Sequence, residues 1–227
     1  MDRHFAQWIY IDGWRFLAIF ALISFLLSLI SCSLGWFGAV LTVWCGYFFR
    51  NPPRVVPIRE GLLTSPADGK VTLIQEVTVP KSFNIGEHTC YRVSIFLNVF
   101  DVHLNRIPYD GKVDKVIYHP GQFLNASLDK ASDLNERNTV VMTTDHGAIA
   151  FTQIAGLIAR RIRCDLKQGD EVKKGHIYGM IRFGSRVDIY LPHGVHPLVI
   201  EGQRVVGGET VIADFHSKEH QRTGVCI

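Results

Sequence analysis

From Phe16 to Phe49 the chain carries no charged residue, and the clearest break in this apolar run is Ser31-Cys32-Ser33, followed by Gly35. One membrane-crossing helix needs about 20 apolar residues. The run therefore predicts either one long span or a hairpin of two short ones. A cleaved signal peptide would have a single short apolar core before a small-residue cleavage site, and this segment has neither. Pro52-Pro53 ends the run, because proline lacks the N–H a helix needs and its ring clashes with the preceding turn. A linker continues to about Leu63. Beyond it, short β-branched runs alternate with Gly, Pro, Asp and Asn. Lys70–Val77, Tyr91–Asn98, Gly111–Tyr118, Thr139–Thr143 and Ala148–Ala155 have the length and spacing of strands. Leu157–Ile162 reads as a short helix and Leu128–Asn138 as a polar loop. The expected organisation is an anchoring helical segment over 1–50, a linker over 51–63, and a mainly β (α+β) domain over 64–227.

A weak repeat adds detail to that domain. Gly169-Asp-Glu-Val172-Lys-Lys-Gly175 and Gly202-Gln-Arg-Val205-Val-Gly-Gly208 both read G-x-x-V-x-x-G. Glycines at such spacing supply the dihedrals of tight turns while the valine packs inward. Units of this kind occur in the flattened β-sandwiches of biotinyl and lipoyl carriers, so a related hybrid sandwich is expected.

Charge changes the picture modestly. Net charge is +3, charged residues make up 20% of the chain and hydrophobic ones 47%, which excludes a disordered polymer. There is no Lys/Arg block of the kind nucleic-acid binders use, so no nucleic-acid partner is expected. A mildly basic chain suits an anionic lipid surface. Arg15 precedes the apolar run and Arg50, Arg54 and Arg59 follow it, which places both ends in the cytosol. All four tryptophans lie in this region, as rings at a membrane interface would. The expected location is the cytoplasmic membrane, with the β domain on its cytoplasmic side. The five cysteines have no C-x-x-C spacing and read as free thiols.

Four polar segments could carry chemistry: Ser65-Pro-Ala-Asp68-Gly-Lys-Val71; Asp101-Val-His103-Leu-Asn105-Arg106-Ile-Pro108; Tyr118-His119-Pro-Gly121 with Glu136-Arg137-Asn138; and Phe183-Gly184-Ser185-Arg186-Val187-Asp188. Singly each is a turn or a surface feature. In order and spacing, together with Phe48-Phe49-Arg50-Asn51-Pro52 and Ala159-Arg160-Arg161-Ile162, they resemble the phosphatidylserine decarboxylases, in particular the short form. The resemblance covers nearly the whole chain.

It implies a self-cleaving zymogen. A serine hydroxyl can attack the carbonyl of its own preceding peptide, given a strained turn, a base and donors for the oxyanion. Gly184 leaves that carbonyl unshielded. Elimination from the resulting ester frees a chain ending at Gly184, and hydrolysis converts residue 185 to a pyruvoyl group with loss of ammonia. The products would be chains 1–184 and 185–227, held as a heterodimer. The pyruvoyl cofactor would form a Schiff base with the substrate amine and accept electrons as CO2 leaves, doing the work of PLP. The family implies phosphatidylserine as substrate and phosphatidylethanolamine as product, with no PLP and no metal. A further homo-oligomer is compatible with this.

Ser185 matches the cleavage and cofactor position. Asp68 matches the acid of the family's Asp-His-Ser processing triad. His103 matches the first of two histidines that long-form relatives carry three residues apart. The second position holds Arg106 here, which opens the base assignment: His103 serves in both reactions, or His119 or His146 supplies one. Arg106 also suits a clamp on the lipid phosphate or the departing carboxylate, with Arg137 and Arg186 as weaker candidates of the same kind. Other readings stay open. One is the same chemistry on another serine lipid such as archaetidylserine. Another is a membrane-tethered carrier displaying Lys173 or Lys174. A zinc hydrolase using the His193/His196 or His216/His220 pairs lacks HExxH or any comparable ligand set.

Overall fold

The computed structural model describes residues 8–86, 89–121, 135–156, 161–182 and 184–225. It divides into two compact units, Met1–Pro53 and Arg54–Ile227.

In the first unit the apolar run is a hairpin of two helices, α1 (Ile11–Ile30) and α2 (Cys32–Phe48). Ser31 between them is in extended backbone and breaks the helical path. Small residues let the helices approach closely. A Cβ built on Gly35 would sit 2.5 Å from Ser28 Cβ, and one on Gly38 2.8 Å from Ser24 Cα. Ser24 Oγ donates to the Gly35 carbonyl at 3.1 Å. Small residues facing small residues are how helices associate where no hydrophobic effect drives them together. At the other end Phe16 stacks on Phe49, ring centroids 5.3 Å apart. Leu22, Phe25, Leu26, Leu29, Trp36, Phe37, Val40 and Val43 point outward and are exposed. By length and composition α1 can cross a bilayer. This unit is consistent with membrane association.

The second unit is mainly β. Its strands are β1 (Leu62–Thr64), β2 (Gly69–Thr78), β3 (Thr89–Leu97), β4 (Leu104–Arg106), β5 (Gly111–His119), β6 (Arg137–Thr144), β7 (Gly147–Ile154), β8 (Ile162–Cys164), β9 (Glu171–Val172), β10 (Ile177–Ile181), β11 (Ser185–Tyr190), β12 (Arg204–Val205) and β13 (Val211–Asp214). An eight-stranded sheet runs β12-β2-β3-β11-β7-β6-β5-β9, beside a three-stranded sheet β4-β10-β8 and the pair β1-β13. The strand pairings are antiparallel. The five predicted strands coincide with β2, β3, β5, β6 and β7 to within about two residues. The loop expected over Leu128–Asn138 is corrected at its end, where Arg137 and Asn138 already belong to β6; residues 128–134 lie outside the described residues. Of the helix expected at Leu157–Ile162, residues 157–160 are likewise outside them, and Ile162 opens β8.

Alternation along the strands gives the large sheet two apolar faces. Val71, Ile95, Leu97, Val140, Met142, Phe151, Val187 and Ile189 share the main core. The intervening positions Cys90, Val141, Ala150 and Tyr190 meet Val79 and Phe83 in a second cluster. Adjacent residues of a strand face opposite sides, so the central strands are covered on both, the second face also holding buried polar groups such as Ser94, Arg186 and Asp188.

The turn repeat is part of a larger duplication. Each G-x-x-V-x-x-G unit embraces a P-x-D-G-K-V unit, Pro66–Val71 in one half and Pro108–Val113 in the other. Val205 pairs with Gly69, and Val172 pairs with Gly111. The Gly207 N–H donates to Asp68 Oδ1 at 2.8 Å, and the Lys174 N–H donates to Asp110 Oδ1 at 2.6 Å. Gly208 N–H donates to the Ser65 carbonyl and Gly175 N–H to the Ile107 carbonyl, each at 2.8 Å. Even the register shifts match, one after Val71 and one after Val113. Asp68 and Asp110 are thus equivalent turn residues, and whatever distinguishes them comes from their surroundings.

Candidate active site

Ser185 opens β11, the strand held between β3 and β7. It lies opposite Leu97 and on the same face as Val187 and Ile189, so its side chain points to the main core. It is fully buried, and its Oγ has no hydrogen-bond partner among the described residues. A buried hydroxyl without a partner is costly and rare, and such groups call for a functional account. Gly184 before it has φ +51°, and a Cβ built there would touch nothing within 4 Å. Glycine is needed here for the left-handed backbone and not for space.

His103 lies on the β3–β4 connection, between the strand that pairs with Ser185 and β4. The connection leaves Leu97, the pairing partner of Ser185, and turns through Asp101. Asp101 accepts from the Asn98 N–H at 2.9 Å and pairs with Arg204. The His103 carbonyl accepts from the Ile181 N–H at 3.3 Å, four residues ahead of Ser185. The His103 ring is fully buried, with Nδ1 2.9 Å from the Asp101 carbonyl oxygen. A carbonyl only accepts, so Nδ1 carries the proton and Nε2 the basic lone pair. The sequence alternatives lie elsewhere. His146 sits in the turn before β7, a strand's length from the Ser185 end, about 24 Å at ~3.4 Å per residue. There it packs on Tyr109, Phe215 and His216. His119 pairs with Arg137, which pairs with Ile154, which pairs with Arg186, placing it three strands or about 14 Å away.

Asp68 approaches from β2. Gly69 packs so tightly on β3 that a Cβ would fall 2.2 Å from the Phe96 carbonyl oxygen. Besides the Gly207 N–H, the Asp68 carboxylate takes an ion pair from Arg54 at 2.6 Å, with side chains 15% and 11% exposed. Burial pushes its pKa up; Arg54 pulls against that, as does the Gly207 hydrogen bond, while the charge of Asp101 adds to the rise. The equivalent Asp110 is more open and meets Lys173 at 3.5 Å. Burial and a guanidinium are what separate the two halves of the duplication.

Arg106 stands in β4 beside this cluster. Nη1 donates to the Gly175 carbonyl at 2.8 Å. Burial, and then the like charge of Arg54, bring its pKa down to about 10, with Asp68 and Glu209 opposing. Arg186 and Arg137 are placed differently. Both flank Ile154, on the face of the sheet opposite Ser185. Arg186 makes a fully buried bidentate pair with Asp188, at 2.5 and 2.8 Å. Of the three arginines, only Arg106 shares the surroundings of Asp68.

Arg54 was visible in the sequence only as a charge flanking the apolar run, and nothing local links it to Asp68. The structure adds a buried amide relay as well. Gln153 Nε2 donates to Asn105 Oδ1 at 2.8 Å and to the Arg163 carbonyl at 3.1 Å, and Asn138 Nδ2 donates to Gln153 Oε1 at 3.3 Å. This ties β4, two residues past His103, to β7. Gln153→Leu would strand these groups. It is expected to lower unfolding stability by about 1–3 kcal/mol, read from denaturant midpoints. The described cysteines are free thiols, and burial pushes Cys90 up to about 11, which keeps it protonated and unreactive.

Residues 41–213 match the family model for phosphatidylserine decarboxylase. Proteins named phosphatidylserine decarboxylase proenzyme are similar along almost their full length. The one from Paramagnetospirillum magneticum is 54% identical over 94% of this chain and 89% of its own. That from Rickettsia akari is 56% identical over 92% and 90%, and that from Cereibacter sphaeroides 55% identical over 94% and 92%. With identity at this level over more than nine tenths of the chain, and a family model that takes in the Gly184-Ser185 strand, the chain belongs to the phosphatidylserine decarboxylase family.

Proposed function

We propose that this chain is a zymogen that cuts itself between Gly184 and Ser185. Through a pyruvoyl group made from Ser185, it then decarboxylates phosphatidylserine to phosphatidylethanolamine and CO2. Family membership and the relatives' names support the reaction class. The observation that carries the reading is the buried Ser185 hydroxyl, without a hydrogen-bond partner among the described residues, behind a left-handed Gly184.

In the processing step Ser185 Oγ attacks the Gly184 carbonyl carbon, and His103 Nε2 takes the hydroxyl proton. The C–N bond breaks as an ester forms and the Ser185 nitrogen becomes an amine. A base then removes the Cα proton of residue 185 as its Cβ–O bond breaks, which leaves Gly184 with a carboxylate and residue 185 as dehydroalanine. Water then replaces its nitrogen, releasing ammonia. The pyruvoyl group supplies a ketone that condenses with the substrate amine and accepts the electron pair left by CO2. The chain's own residues do the rest. In this reading His103 returns a proton to the decarboxylated carbon, and Arg106 holds an anionic oxygen of the substrate. The short chain, 185–227, would stay bound because β11 is central in the large sheet while β12 and β13 pair with β2 and β1.

The duplicated turn units support a fold related to the hybrid sandwiches of biotinyl and lipoyl carriers. A carrier function is disfavoured by Lys174, whose amine is tied to the Leu62 and Arg59 carbonyls at 3.1 and 3.4 Å. Residues 1–50 form the membrane anchor, with the β unit on the cytoplasmic side. Deleting them is expected to release the protein from vesicles in a flotation assay while self-cleavage continues; unchanged flotation would place the anchor in the β unit. The test of the proposal is an intact mass spectrum with a lipid assay. Two chains split after Gly184, the smaller blocked by a pyruvoyl group, and phosphatidylethanolamine formed from phosphatidylserine are expected. An uncut chain that still decarboxylates the lipid would refute it.

A further inference from the structure

The first residues of the β unit form a strap over the point where the two duplicated turns meet. Arg54 pairs with Asp68. The Val55 N–H donates to Glu209 Oε1 at 3.0 Å. Val56 fills the space left by two glycines: a Cβ on Gly175 would lie 2.4 Å from Val56 Cγ2, and one on Gly208 3.8 Å from it. Three consecutive residues are thus fixed by an ion pair, a hydrogen bond and packing, and the fixed geometry delivers one guanidinium to one carboxylate.

We infer that Arg54 is a positioning residue for self-cleavage, holding Asp68 ionised and oriented through the strap. The inference rests on the assignment of Asp68 to the processing machinery. Asp68 is largely enclosed, its side chain 15% exposed, and the groups facing it are Arg54 from the strap, Arg106 from β4 and Asp101 from the β3–β4 connection. Behind them stand Glu209 beside Arg106 and Arg204 on Asp101. Burial and Asp101 favour the protonated acid; Arg54 is the principal opposing charge. An acid whose pKa is raised is a carboxylate only above that value, so processing that needs the carboxylate is lost as pH falls through it. Without Arg54 the loss begins at higher pH. The strap also explains why the two equivalent turn aspartates differ, since among the described residues Asp110 meets Lys173 in place of a guanidinium.

The experiment follows self-cleavage of the full-length chain in detergent micelles from pH 5 to 9, comparing wild type, Arg54→Gln, Arg54→Lys and Asp68→Asn by gel and intact mass. For Arg54→Gln the expected result is slower cleavage at neutral pH, with the acidic limb of the profile moved up by about one pH unit or more. Rates should approach wild type at the alkaline end, and Arg54→Lys should restore most of the neutral rate. A mere structural role would slow Arg54→Gln by the same factor at every pH, complete loss included, and that outcome overturns the inference. So does an unshifted profile for Arg54→Gln when Asp68→Asn is blocked. If instead Asp68→Asn cleaves at the wild-type rate, it is the assignment of Asp68 that falls, and the role of Arg54 falls with it.

Discussion

Ser185→Ala is expected to leave the chain whole and to abolish decarboxylation outright. The substitution removes one oxygen and keeps the Cβ in a fully buried site at the start of a central strand. Because the lost hydroxyl has no hydrogen-bond partner among the described residues, its removal strands no neighbour. Stability should therefore change by less than about 1 kcal/mol, or rise. Thermal unfolding that matches wild type, one uncut mass and no phosphatidylethanolamine would together separate lost chemistry from lost fold. Normal cleavage of this variant would be fatal to the proposed nucleophile.

His103→Ala is expected to lower cleavage, decarboxylation or both by about 10²–10⁴-fold, the usual contribution of a positioned acid or base. The ring is fully buried, so truncation also leaves a cavity. His103→Asn controls for that. Its amide can occupy the Nδ1 position and keep the bond to the Asp101 carbonyl, while nothing replaces the basic Nε2. A folded His103→Asn chain that fails to cleave would tie the defect to Nε2. If both variants cleave and decarboxylate normally, the base lies elsewhere. His119 and His146 would each need a large rearrangement to supply it, given their positions on β5 and before β7.

The long strands were readable because eight to ten residues of β-branched alternation between turn residues leave few other conformations. The two- and three-residue strands have no period to detect. Their pairing comes from backbone donors that meet only once the sheet curls. β11 was hidden for a different reason. Ser185-Arg-Val-Asp-Ile-Tyr190 looks half solvated, yet the strand is buried throughout. Arg186 and Asp188 are two apart, therefore on one face, and neutralise each other there. A charged pair inside a central strand is legible as a pair only when both faces are known to be covered. The apolar hairpin falls between these cases. The sequence permitted one span or two, and the break at Ser31 became a turn because Gly35 and Gly38 accept Ser28 and Ser24 at contact distance.

The Gly-Ser bond and the acid and histidine segments were legible in the sequence through their joint order and spacing, which resemble the phosphatidylserine decarboxylases; singly each reads as a turn or a surface feature, and only the Gly-Ser acyl shift depends on covalently adjacent atoms. The mainly β character and the apolar N-terminus were likewise local properties of pattern. Only the tertiary structure decided which of two equivalent turn aspartates is the more enclosed and pairs with a guanidinium, which arginine shares its surroundings, and which histidine lies on the connection that leaves the strand paired with Ser185. Those choices are set by contacts between residues far apart in the chain, such as Arg54 with Asp68 and Ile181 with His103. Burial and ion pairing act over a few ångströms of space, and no spacing along the chain encodes that distance.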